Sequence, residues 1–140
     1  MSESTVPPKG KVTGSSFLAF DFGTLRVGVA TGSVFLKQGQ PLRTIAQQGD
    51  ARFEAIAALV QEWAPDALVV GVPYHPDGAP HDNTRRAQRF ARQLHGRFRL
   101  PVHEVDERYT TTEALAAGAK DADAASAVLI LDQFFREHLS

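Results

Sequence analysis

No cysteine occurs among the 140 residues. That absence excludes disulfides, thiolate zinc sites and a cysteine nucleophile, and it fits a reducing, cytoplasmic setting. No apolar stretch is long enough to span a bilayer, and the N-terminal stretch lacks a secretory hydrophobic region, so no membrane association is expected. The histidines at 75, 81, 95, 103 and 138 show no H-x-x-x-H or H-E-x-x-H spacing, which argues against a zinc site. No G-x-S-x-G elbow is present, which argues against a serine hydrolase. An excess of one sign of charge is also missing: the net charge is -1, and no global basic field announces a nucleic-acid partner.

What is present is a globular pattern, 43% hydrophobic and 22% charged, long enough for one domain with a real core. Residues 1–15, "MSESTVPPKGKVTGS", read as a flexible leader ahead of a single domain over 16–140. Aromatic and β-branched runs predict strands at 17–22, 26–32, 39–47, 67–73 and 101–106. Helical spacing of Phe53, Ile56, Ala57, Val60 and Trp63 predicts a helix capped by Asp50 and ended before Pro65. A second helix is expected over 84–96 with Gly96 as its stop, a short one in "TTTEALAAG", and a long one from about 121 to the end. The order is β-β-β-α-β-α-β-α-α: an antiparallel meander of three strands, then two strands alternating with helices. That is an α/β protein with a five-stranded mixed sheet flanked by helices.

The charges are unevenly spread. "RRAQRFARQLHGRFR", 85–99, carries six arginines and no acid; it is either a solvated helix face or a phosphate-facing edge. Asp21 stands in an apolar run, "FLAFDFG", near the end of the first strand. An ionised acid there is costly to desolvate unless it is paired or holds a metal; its plainer role is forming the turn before Gly23. Asp106 and Glu107 end a later strand with side chains on opposite faces; they are either surface charges paired with Arg108 or one of them faces inward. Asp123 falls in the first turn of the last helix, on the stripe of Ala127, Ile130 and Phe134; with Asp121 it can equally serve the helix dipole. If these carboxylates meet, they need a cation. Mg²⁺ or Mn²⁺ suits an all-oxygen site, and two such ions would support in-line hydrolysis of a phosphodiester.

Four segments carry a resemblance: "LAFDFGTLRVGVA", "VVGVPYHPDG", "VDERYTTTEA" and "DAASAVLIL" are similar, in order and spacing, to the YqgF/RuvX family over about residues 16–137. The resemblance implies an RNase H-like fold and a metal-dependent nuclease for the 5′ end of precursor 16S rRNA. The alternatives are a resolvase of Holliday junctions in DNA and a non-catalytic RNA-binding module. It implies Asp21, Glu107 and Asp123 as catalytic and metal-binding residues, with Glu107 preferred over Asp106 as the ligand from its strand and Asp106 as a further candidate. Arg26, Arg85, Arg86, Arg108 and Lys120 are the candidates for nucleic-acid contact. Thr110, Thr111 and Thr112 either cap the short helix, the plainer role, or touch the backbone of a substrate. The sequence departs from the family at His75, where asparagine is common, and in the shortened segment "AAGAKDAD". "DFGTLRVG" also looks like the phosphate loop of actin-like ATPases, but 140 residues do not supply the second domain such an enzyme needs. The residues do not decide between a monomer and the homodimer that paired junction cuts would call for. His75 and His81, bracketing a loop with Asp77 and Asp82, are either acid–base groups or exposed loop residues. Tyr74 and Tyr109 either stack on a base or pack.

Overall fold

The computed structural model describes residues 15–109 and 121–139. Alternating apolar residues build five strands: β1 (Ser16–Phe22), β2 (Val27–Ser33), β3 (Gln38–Ile45), β4 (Ala67–Val72) and β5 (Val102–Asp106). They form one sheet in the order β3-β2-β1-β4-β5. β1–β2 and β2–β3 pair antiparallel, whereas β1–β4 and β4–β5 pair parallel. The expected meander and the two helix-separated strands are therefore both present. β3 is an edge, which accommodates Pro41 beside the irregularity at Val29/Ala30, because proline has no N–H to give a second neighbour. All six residues of β4 are buried, as a strand covered on both faces requires.

Period-two alternation splits the core. Leu18, Phe20, Leu68 and Val70 point to one face, where helices α1 (Asp50–Trp63) and α2 (Asp82–Phe98) supply Phe53, Ile56, Phe90 and Leu94. Phe17, Ala19, Val69 and Val105 point to the other, against Ile130, Leu131 and Phe134 of α3 (Ala122–Leu139). Phe17 meets Phe134 and Phe135 edge-on at 5.3 and 5.7 Å, so the second layer is as tightly built as the first. His103 lies on this side, buried with its ring 4.9 Å from that of Phe134, as expected of a structural histidine. Asp132 of α3 accepts a 2.9 Å bond from the Gly39 amide, which ties the edge strand to the helix.

Three local expectations are corrected. Asp50 does not cap α1; Gly49 holds that position with φ 62° and ψ -142°, and no side chain caps the helix. The buried stripe of α1 is Phe53, Ile56 and Leu59, while Ala57 is exposed and Trp63 is 41% exposed because the last turn projects into solvent. Gly96 does not stop α2. The helix continues to Phe98, and Arg99 ends it in the left-handed region, donating to His95 at 2.9 Å just before Pro101 rules out further helix. The expected short helix falls on residues 110–118 and the leader largely on 1–14, outside the described residues.

One glycine fixes the layering. A Cβ on Gly28 would lie 1.9 Å from the backbone oxygen of Asp123, so α3 rests its first turn directly on β2 at this residue. Gly28→Ala is expected to destabilise the protein by about 1–3 kcal/mol in urea unfolding, because backbone rather than a flexible side chain must move. Gly96 is the opposite case, since its added Cβ would meet nothing within 4 Å. Gly96→Ala is expected to stabilise by about 0.5–1 kcal/mol in the same assay.

Candidate active site

Asp21 follows Phe17 and Ala19 on the α3 face of β1, near the strand's C-terminal end. Its partner across the β1–β2 pair is Gly28, the residue on which α3 rests. The missing side chain brings Asp123 down beside Asp21. On the other flank of β1, a Cβ on Gly71 of β4 would lie 3.0 Å from Cγ and Cδ of Glu107 and 2.4 Å from Cδ1 of Ile130. Glu107 continues the alternation of His103 and Val105 and folds back over that gap, in the single 3-10 turn Glu107–Tyr109. Two glycines in the strands beside β1 thus let one acid from a helix and one from a strand end approach a third between them. Glycine inside "RVGVATG" and "VVGVP" was the available signal for such close approach.

The electrostatics follow from this crowding. Burial, then the charge of Asp123, raise the Asp21 pKa to about 6, partly offset by a hydrogen bond from Ser126. Burial, then the charges of Asp21 and Asp106, raise the Glu107 pKa to about 8. Asp106 behaves differently. Burial opposes its ionisation, but Arg108 wins and holds it below the usual carboxylate range, with guanidinium bonds of 2.8–3.2 Å to both oxygens. Arg108 also lies over the Tyr74 ring at 5.8 Å and against Gly78, so it is packed as well as paired. Asp106 faces away from Asp21 and Glu107 and is engaged by Arg108, whereas Glu107 joins Asp21.

Arg26 leaves the β1–β2 turn and places Nε 2.8 Å from Oδ2 of Asp123. The turn itself is held by Arg52, a buried arginine of α1 that donates to the carbonyls of Thr24 and Gln47, each at 3.1 Å. The sequence reading missed this residue; an arginine beside Phe53 on the buried side of a helix was the signal. Asp121 accepts from the Ala124 amide and the Thr44 hydroxyl, so it is the acid that serves the helix start, while Asp123 is directed to Arg26. Arg85 and Arg86 are exposed on the first turn of α2, beside Asp82 and Asn83. That helix covers the opposite face of the sheet from the carboxylates, although Thr84 ties its start to the Pro73 carbonyl at the same sheet end. His81 caps α2 through Nδ1 and stacks edge-on with His75 at 4.7 Å. Tyr74 packs against the α1–α2 side of the core. Lys120 and Thr110 to Thr112 lie outside the described residues, as does the Tyr109 side chain.

The donor set fits a hard divalent ion: three carboxylates, no sulfur and no histidine, two of them pushed up in pKa by burial and then by neighbouring negative charge. Among the described residues, no group of three acids or histidines stands ready to hold an ion as the side chains are placed. Asp123 is paired with Arg26 instead. No described helix is long and apolar enough to cross a membrane.

Residues 15–137 match the family model for RuvX, described as a Holliday junction resolvase. A protein of Polaromonas sp. (strain JS666) named "Putative pre-16S rRNA nuclease" is 66% identical over 121 residues, covering 86% of this chain and 88% of that one. A protein of Polynucleobacter necessarius with the same name is 53% identical over 133 residues, covering 93% of this chain and 90% of that one. Among solved structures, Thermus thermophilus RuvC in complex with a Holliday junction substrate superposes with a TM-score of 0.56 at 14% identity, covering 86% of this chain and 94% of that one. The fold is therefore RNase H-like, as the family resemblance implied.

The raised carboxylates make a stability prediction with a defined sign. Asp21 ionises near pH 6 in the fold against 3.8 for the ordinary side chain, so its charge destabilises the metal-free protein progressively as pH rises from about 4 through 6. Asp21→Asn, neutral throughout, is expected to be more stable than wild type by roughly 1–3 kcal/mol at pH 8 in EDTA, with the difference vanishing below about pH 4. Thermal unfolding at both pH values checks this. A less stable variant at pH 8 contradicts the electrostatic account.

Proposed function

The chain belongs to the RuvX family, and on that footing we propose that it is a metal-dependent nuclease that hydrolyses phosphodiester bonds to mature the 5′ end of precursor 16S rRNA. The observation that supports the reading is that Asp21 lies within electrostatic reach of both Asp123 and Glu107. They come from a central strand, a strand end and a helix start, far apart in sequence, and gather at one end of one sheet face. The names of relatives 53–66% identical over most of their length support precursor rRNA as substrate.

In this reading Asp21, Glu107 and Asp123 hold Mg²⁺ or Mn²⁺, with two ions suiting the number of oxygens. Ions held there supply activation of the attacking water and neutralise charge on the leaving oxygen. The partly buried carboxylates of Asp21 and Glu107 keep their positions because β1, β4 and the 3-10 turn are fixed by the sheet. Arg26 and Arg108 stand at the rim on either side and contact substrate phosphates. Arg85 and Arg86, exposed at the start of α2, are further candidates for nucleic-acid contact. Asp106 acts by orienting Arg108 rather than as a ligand. The absence of cysteine and of a membrane-spanning helix in the described chain accords with action in the cytoplasm.

The test uses one preparation, a 5′-extended 16S precursor RNA and a four-way DNA junction, with Mg²⁺ or Mn²⁺ and with EDTA. The RNA is expected to be cut at its 5′ side only with metal, and Asp21→Asn and Asp123→Asn to lose at least about a hundredfold in rate while remaining folded. Unchanged cleavage in both variants would remove the site assignment. Paired symmetric cuts in the junction with the RNA left intact would favour the resolvase activity that the family description carries.

A further inference from the structure

The Arg26–Asp123 pair joins two segments 97 residues apart at the mouth of the carboxylate cluster. Its two members are unequally free. The Asp123 side chain is 33% exposed on the first turn of α3, and the Arg26 side chain is 60% exposed. The stem of Arg26, in contrast, is fixed: its turn is pinned at Thr24 by the buried Arg52, and a Cβ on Gly23 would lie 2.7 Å from the Arg26 carbonyl oxygen. The guanidinium is thus a charged head that moves on an anchored base, beside three acids that need positive charge. As placed, it takes the third acid out of any shared ligand set.

We propose that Arg26 is an exchangeable internal counter-ion: it neutralises Asp123 in the metal-free protein, and a divalent ion arriving at Asp123 releases its guanidinium to a substrate phosphate. The inference rests on the metal-dependent nuclease reading and adds to it an order of events. Metal and nucleic acid then bind with positive coupling, because the ion frees a phosphate-binding group as well as reducing repulsion. A guanidinium suits the exchange, since it stays charged throughout and its planar fork fits a carboxylate and a phosphate alike. The pair is exposed, so the coupling is modest, and a weak latch is one that an ion can open.

Two measurements test this without relying on turnover. Calorimetric titration of manganese is expected to show about 1.4- to fivefold tighter uptake by Arg26→Gln than by wild type, the range set by a pair of about 0.2–1 kcal/mol. In EDTA, fluorescence anisotropy with a labelled precursor RNA hairpin is expected to show Asp123→Asn binding more tightly than wild type, because Arg26 is released. That gain should be about 1.4- to fivefold smaller when Arg26→Gln is already present. Arg26 is exposed, so the unfolding midpoint should stay near that of wild type. Manganese affinity unchanged or weakened by Arg26→Gln, or equal gains in both backgrounds, would overturn the exchange alone. No manganese uptake by wild type would overturn the metal-dependent reading and the exchange with it.

Discussion

The contact between α3 and β2 at Gly28 is the constraint on which the rest depends. A helix normally packs on a sheet through side chains, at a distance of about 10 Å between layers. Here the first turn of α3 comes down until its backbone meets the strand, because no side chain intervenes. Since Gly28 is also the cross-strand neighbour of Asp21, the approach places Asp123 at the one acid that the central strand carries. Farther along α3, Ile130, Leu131 and Phe134 fill the layer between helix and sheet, so the close end is fixed by burial at the far end. Core packing and site geometry are two ends of one helix.

The electrostatic arrangement runs against folding stability. Asp21 and Glu107 are desolvated and repel each other, and each is displaced from the protonation range that its free side chain prefers. Nearby, Asp106 shows the alternative outcome. It is equally a strand-end acid, but an arginine two residues on satisfies both of its oxygens. Two adjacent carboxylates in one chain segment thus take opposite roles because the pleat sends them to opposite faces. One supports a rim cation and the other enters the cluster. Sites that bind cations characteristically carry such unresolved repulsion, since a satisfied carboxylate has little left to offer an ion.

The sheet was legible because its strands are short, apolar and bounded by glycine and turn residues, and because the first three follow one another without room for a helix. The face assignment of Asp21 followed from period two, whereas the preference for Glu107 over Asp106 came with the family resemblance. What failed was local punctuation. Gly96 read as a helix stop, yet the loss in helix propensity, about 1 kcal/mol, is small beside the burial of Phe90 and Leu94 on the same helix. Trp63 read as core because of its spacing, although the last turn of α1 lies in solvent. Arg26 was visible as a basic residue, but its pairing with Asp123 spans nearly the whole chain and has no local signature. The same holds for Gly28 and Gly71, whose function is to leave space for residues contributed by distant segments.

The sheet order has a consequence for the protein while it is being made. β1, β2 and β3 are contiguous and can pair as soon as they emerge, and β4 and β5 follow by parallel crossovers. α3 follows all five strands in the chain, and it carries Asp123. A nascent chain therefore displays Asp21 and Glu107 on an uncovered sheet face without the third carboxylate. Asp123 reaches its place beside Asp21 only when that helix docks on β2 at Gly28.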